Sequence, residues 1–218
     1  MTTHREVFQR LFECWGPRHW WPGETPFEVM VGAILTQNTA WTHVERAISN
    51  LRLAGILDPH ALASMEVDEL APHLRPSGYF NVKARRLQSY CGWFTQAGGM
   101  STLAARPTDA LRRALLAVHG IGPETADDIL LYAFGRPVFV VDAYTVRLFQ
   151  RLGLTSSGYY ETLQREFESA LPRDVALFNE FHALIVQHGK AICRPKPRCG
   201  QCCLSGLCAF AATHRGDA

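Results

Sequence analysis

The stretch Val118-His119-Gly120-Ile121-Gly122-Pro123-Glu124-Thr125-Ala126 constrains this chain most, because its residues favour helix, tight turn, helix over other local folds. Thr108 is placed to cap a first helix carrying Leu111, Leu115, Leu116 and Val118 at helical spacing. Gly120 and Gly122 bracket Ile121 in a turn expected to be too sharp for side chains at both ends. Pro123 suits the first position of a second helix, where its fixed φ and missing N–H cost nothing. That helix continues through Ala126, Ile129, Leu130, Ala133 and Phe134 until Gly135 and Pro137 stop it. A Gly-x-Gly turn leading into a helix exposes backbone N–H groups suited to phosphate. An ordinary helical hairpin fits the same residues. Beyond it, the apolar run Phe139-Val140-Val141 precedes Asp142, an expected N-cap for a helix with Val146, Phe149 and Leu152 that Gly153 ends.

The rest of the chain repeats the 3.6-residue period, and no convincing strand, internal repeat or low-complexity stretch interrupts it. Arg5 to Trp15 is amphipathic, with Val7, Leu11 and Phe12 on one side. His19-Trp20-Trp21-Pro22-Gly23 forms an aromatic loop. Trp20 and Trp21 suit hinge packing or a stacking wall for an extruded base. Pro26 to Leu35 reads as a buried helix, Thr36-Gln37-Asn38-Thr39 as a polar turn, and Thr39 as the cap of a helix carrying Trp41, Val44, Ala47, Ile48 and Leu51. Leu62 to Leu74 is amphipathic. After the loop Arg75 to Asn81, Asn81 is expected to cap a helix burying Leu87, Tyr90, Cys91 and Phe94. Lys83, Arg85 and Arg86 at its start suit a solvated face or phosphate contacts. Gly98-Gly99 and Pro107 lead into the hairpin, and Glu161 to Leu171 and Asp174 to His188 complete the helices.

At 218 residues, 47% apolar and 19% charged, the chain can bury one or two small cores. Its apolar runs fall short of transmembrane length and Met1 to Arg5 begins no secretory signal, so a cytoplasmic protein without a membrane partner is expected. A net charge of +2 says little about partners. Lysine is scarce: Lys83, Lys190 and Lys196 are the three, which limits any amine chemistry. Seven cysteines in a cytoplasmic setting argue against a disulfide framework. Cys193, Cys199, Cys202 and Cys208 follow a Cys-x5-Cys-x2-Cys-x5-Cys spacing that can wrap a 4Fe-4S cluster or a tetrahedral zinc. Cys203 is a fifth candidate. Between the first two cysteines, Arg194, Lys196 and Arg198 alternate with prolines on a stiffened arm suited to a DNA backbone.

Taken together these motifs resemble the endonuclease III superfamily of helix-hairpin-helix DNA glycosylases, over nearly the whole chain. The resemblance implies an all-α, two-lobed fold with a C-terminal 4Fe-4S loop, in which 23–136 form a helical barrel containing the hairpin and 1–22 join 137–218 in a cluster lobe. It implies that Gln37 fills the gap left by an extruded base, that Gly120, Ile121, Gly122 and Thr125 meet the DNA backbone with Lys196 and Arg198 nearby, and that Asp142 is catalytic. It favours the cluster over zinc and leaves Cys203 spare, although the first cysteine arm is one residue shorter than in the best-known form.

Where bifunctional members carry a lysine two positions after the second glycine, this chain has Glu124, and a carboxylate cannot form an imine. His19 to Pro22, Ala33 to Thr39, Arg75 to Asn81 and Gly120 to Asp127 are most similar to the 3-methyladenine branch, where a glutamate after the hairpin is at home. That branch's best-known form has lysine in place of Pro123 and lacks the cysteine loop. The expectation is a monomeric, monofunctional glycosylase releasing an alkylated purine from double-stranded DNA through Asp142 and Glu124. The alternatives are a glycosylase and lyase for oxidised pyrimidines, and a DNA lesion-binding protein with weak catalysis.

Overall fold

A computed structural model of the chain describes residues 3–18, 20 and 23–213. His19, Trp21 and Pro22 of the aromatic loop lie outside the described residues. Among the described residues the regular elements are helical, and the chain divides into two compact units, Trp21–Arg136 and Met1–Trp20 with Pro137–Ala218. α1 (His4–Trp15) belongs to the discontinuous unit. The central unit holds α2 (Pro26–Leu35), α3 (Trp41–Leu53), α4 (Pro59–Ser64), α5 (Val67–Leu74), α6 (Phe80–Gln96), α7 (Gly99–Ala104), α8 (Thr108–Leu116) and α9 (Pro123–Asp128). The discontinuous unit resumes with α10 (Ala143–Leu152), α11 (Tyr160–Ala170), α12 (Val175–Ala191) and α13 (Ala209–Thr213).

In the central unit α2 is the core helix. Val29, Met30, Val31, Ile34 and Leu35 are buried on it, Pro26 stands at its start, and Thr25 accepts from Glu28 N at 3.1 Å. The carboxylate of buried Glu28 is offset by Arg52 at 2.6 Å. α4 and α5 pack on α6, whose Ala84, Leu87, Tyr90, Cys91 and Phe94 face inward. The helix after α9 continues as a π-helical turn, Ile129–Ala133, with Phe134 N donating to Ile129 O at 3.2 Å.

Several helix starts differ from the sequence expectation by one or two residues. Pro107, Ala40 and Tyr79 hold the cap positions of α8, α3 and α6, in place of Thr108, Thr39 and Asn81. In each case the first helical hydrogen bond is accepted by the observed cap residue: Leu111 N to Pro107 O, Val44 N to Ala40 O, and Lys83 N to Tyr79 O. Lys83 is not on a solvated face. It is 1% exposed, donates from Nζ to Ser77 O at 2.5 Å, and burial with the neighbouring Arg86 lowers its pKa to about 8. The segment 62–74 is two helices, because Met65 is extended between them. Gly98-Gly99 opens the short α7 rather than a plain linker.

The discontinuous unit is built on phenylalanines. Phe139 stacks on Phe167 with centroids 3.9 Å apart, and Phe149, Phe178 and Phe181 close around them. The extended run 139–141 is tied to α11: Glu168 accepts from Phe139 N, and Gln164 donates to Phe139 O at 2.8 Å. α1 buries Val7 and Leu11 and packs on α12, while Phe12 remains 39% exposed.

Candidate active site and cysteine loop

Asp142 is the N-cap of α10. Its Oδ1 accepts from Thr145 N at 2.7 Å and from Thr145 Oγ1 at 2.8 Å. Its Oδ2 stands 3.7 Å from Nε2 of His182, a buried residue of α12, and the carboxylate keeps 12% of its surface exposed. Trp20 lies against the same imidazole, with ring centroids 5.5 Å apart at 33°. Burial acts to raise the Asp142 carboxyl, but His182 and the two Thr145 bonds outweigh it and hold the group below its ordinary range. The result is an anion, nearly enclosed, with one oxygen committed to the helix cap and one directed toward the imidazole.

The hairpin joins α8 to α9 and is clamped by a bidentate pair, Arg112 Nε to Asp127 Oδ1 at 2.7 Å and Nη2 to Oδ2 at 2.8 Å, with Asp127 fully buried. Gly120 has φ +85°, and a Cβ there would run into Arg86. Gly122 differs from the sequence expectation: its φ is −93° and a Cβ would meet nothing within 4 Å. Only the first glycine is required by the turn itself, and Ile121 between them is buried. Gln37 is latched to this turn. Its Nε2 donates to Gly120 O at 3.0 Å and to Thr125 Oγ1 at 2.9 Å, while Arg86 donates to its Oε1. Glu124 is exposed in the first turn of α9, where a carboxylate is favoured by the helix dipole.

The cysteine loop is gripped by α10. Arg147 donates to Cys193 O at 2.8 Å and Gly189 O at 3.2 Å; Arg151 reaches Arg194 O at 2.6 Å, Pro195 O at 3.0 Å and Cys193 Sγ at 3.3 Å. α10 approaches α12 closely at Gly189, where a Cβ would fall 2.5 Å from Tyr144 Cδ1. Cys202 lies in electrostatic range of Cys193, Cys208 and Cys199, and Cys208 in that of Cys193 and Cys199. No three His, Cys, Asp or Glu side chains among the described residues close up around a single ion. Cys203 instead neighbours Cys14, and its thiol is pushed up to about 12 by burial and then by that neighbour. Arg194, Lys196 and Arg198 are exposed along the first arm.

Residues 31–173 match the family model described as HhH-GPD superfamily base excision DNA repair protein. The chain belongs to this superfamily. A Methanocaldococcus jannaschii protein named as a DNA repair glycosylase is 42% identical over 207 residues, covering 93% of this chain and 94% of its own. Endonuclease III of Thermotoga maritima is 28% identical over 186 residues, covering 85% and 83%. Among solved structures, H. pylori 3-methyladenine DNA glycosylase (MagIII) bound to 1,N6-ethenoadenine superposes with a TM-score of 0.78 at 31% identity, covering 87% of this chain and 98% of its own. A non-covalent endonuclease III–DNA complex, at 22% identity, shares the fold with a TM-score of 0.83 over 99% of both chains.

As an HhH-GPD protein the chain is a DNA base-excision repair glycosylase with the all-helical fold of endonuclease III-like proteins. Of the residues singled out in its sequence, Asp142 and Trp20 come together through His182, and Gln37, Gly120 and Thr125 come together at the hairpin. Trp21 lies outside the described residues. His182 was not legible in advance, since a histidine on a mostly apolar helix reads as core. Tyr79 belongs to the loop Arg75 to Asn81 that the sequence marks as similar to the 3-methyladenine branch. It is 72% exposed with a left-handed backbone, φ 45°. No helix among the described residues is long and apolar enough to cross a membrane.

Proposed function

We propose that this glycosylase hydrolyses the N-glycosidic bond of an extruded alkylated purine such as 3-methyladenine, without strong lyase activity. The observation that carries the reading is the ionised, nearly enclosed Asp142 beside His182 and Trp20. A cationic base is already a good leaving group, so the site needs an anion for positive charge on the sugar and a π-surface for the base. Asp142 supplies the first, as a preorganised charge or by orienting water. Trp20 supplies the second, and a cation–π contact contributes roughly 0.5–2 kcal/mol. The likeness to a 3-methyladenine glycosylase at 31% identity supports this substrate class.

Glu124 stands where a lyase needs an amine, and its carboxylate cannot form an imine. Lys83 is buried with its amine bonded to Ser77 O, which also disfavours an imine route. The hairpin from Gly120 to Thr125 offers backbone donors to phosphate, Lys196 and Arg198 add charge along the DNA, and Gln37 leaves its latch to fill the vacated gap. The exposed ring of Tyr79 is available for stacking on a base.

Cys193, Cys199, Cys202 and Cys208 would hold a 4Fe-4S cluster: four thiols at a Cys-x5-Cys-x2-Cys-x5-Cys spacing, with Cys202 close enough to feel the other three. When bound, the cluster cross-links the loop and holds its cationic arm for DNA, with Cys203 left outside the ligand set. The cysteine loop and the endonuclease III relatives favour a second reading, a glycosylase and lyase for oxidised pyrimidines. A panel of duplexes, each with one lesion, separates the two. The first reading expects release of alkylated adenine, an abasic site cleaved only by alkali, and little borohydride trapping. Oxidised-pyrimidine release with strong trapping and cleavage without alkali would establish the second.

A further inference from the structure

α12 carries an imidazole that base excision leaves without a task. His188 is fully buried near the end of that helix, and both its ring nitrogens are engaged. Trp15 Nε1, at the end of α1, donates to His188 Nδ1 at 3.2 Å, the rings meeting edge to face with centroids 6.1 Å apart. On the other side His188 Nε2 lies 3.3 Å from Cys202 Sγ. An indole nitrogen can only donate a hydrogen bond. Nδ1 therefore presents its lone pair to Trp15, and the single proton of the neutral ring sits on Nε2, directed at sulfur. If the thiol donated instead, the proton would be forced onto Nδ1, against the indole N–H. The tautomer is thus set by which groups face the ring.

We propose that His188 is a positioning residue of the cysteine loop, donating an N–H···S hydrogen bond to the Cys202 thiolate, with Trp15 fixing its tautomer. The inference rests on the reading of the four cysteines as cluster ligands. A donor aimed at a ligand sulfur draws charge from it and favours the more reduced state of a cluster, and such outer partners also hold ligands in place. Arg151, 3.3 Å from Cys193 Sγ, acts on a second sulfur in the same way. Trp15 and Cys202 come from opposite ends of the sequence, so His188 also couples α1 to the loop.

The test uses the full-length chain, prepared anaerobically as wild type, His188→Phe, His188→Gln and Trp15→Phe. Iron content, the midpoint potential of the cluster and the rate of bleaching by an iron chelator are measured on each. His188→Phe should keep its iron, show a lower midpoint potential and bleach about 10-fold faster or more. Trp15→Phe should shift both readings the same way by less. His188→Gln should return both toward wild type, because its amide can donate from near the Nε2 position. Potentials and bleaching rates equal to wild type in His188→Phe and Trp15→Phe would overturn the proposal. If His188→Phe does not accumulate, an unchanged potential in Trp15→Phe overturns it alone, and a lowered one supports it. Wild type without iron would overturn the cluster reading instead, a result that metal analysis distinguishes at the outset.

Discussion

Asp142 shows how one residue serves both helix and chemistry. Asp142→Asn should lower single-turnover excision by roughly 10²-fold or more, the scale of a preorganised transition-state charge. DNA affinity in a binding titration should survive, since asparagine caps a helix as well as aspartate. His182→Phe removes a main cause of the low carboxyl pKa and leaves burial, so the acidic limb of the pH–rate profile should move to higher pH. The stability linked to Asp142 is full above its unfolded pKa, about 3.9, and is lost only as pH falls through the lower folded value. Lys83 has a linkage of the same sign at higher pH, because its folded pKa of about 8 also lies below the unfolded one. Between pH ~8 and ~10.4 the unfolded chain binds the extra proton, so stability from this residue rises with pH. Urea midpoints at pH 7, 9 and 10.5 should show that rise in wild type relative to Lys83→Met.

At the level of elements, the two glycines of the hairpin have different tasks. Gly120→Ala forces a left-handed alanine against Arg86 and should cost at least about 1–2 kcal/mol in denaturant unfolding. Gly122→Ala meets neither strain nor a neighbour, so its stability should stay within about 0.5 kcal/mol of wild type. If the Gly122 backbone touches phosphate, the same substitution should weaken DNA binding in a titration, separating contact from folding. The hairpin was largely legible in sequence because its signals are local: Pro123 opens a helix, Gly135 ends one, and the helical spacing of Leu111 and Leu115 lies within one turn or two. Its clamp was not. Arg112 and Asp127 meet across fifteen residues only because α8 folds back on α9.

For the whole molecule, binding to duplex DNA should weaken with salt as phosphate contacts release counterions. Lys196→Ala with Arg198→Ala should lower affinity for damaged and undamaged duplexes alike and flatten the log–log salt slope by about 2, one per lost phosphate contact. An unchanged slope would remove the cysteine loop from the DNA interface. Cys199→Ser should lose iron where Cys203→Ser retains it, measured on protein prepared without oxygen.

Helical class, the hairpin, the Asp142 cap and the cysteine spacing were determined by sequence alone, because each is written in residues a few positions apart. Local periodicity, backbone propensity and ligand spacing need no knowledge of the rest of the fold. Tertiary structure decided which polar groups meet. Gln37 finds Gly120 across 83 residues, Trp15 finds His188 across 173, and a lysine with the pattern of a surface charge is buried against Ser77 O. Those pairings depend on how helices pack, and helix packing is driven by apolar surface that carries no instruction about which polar partner it will bring near.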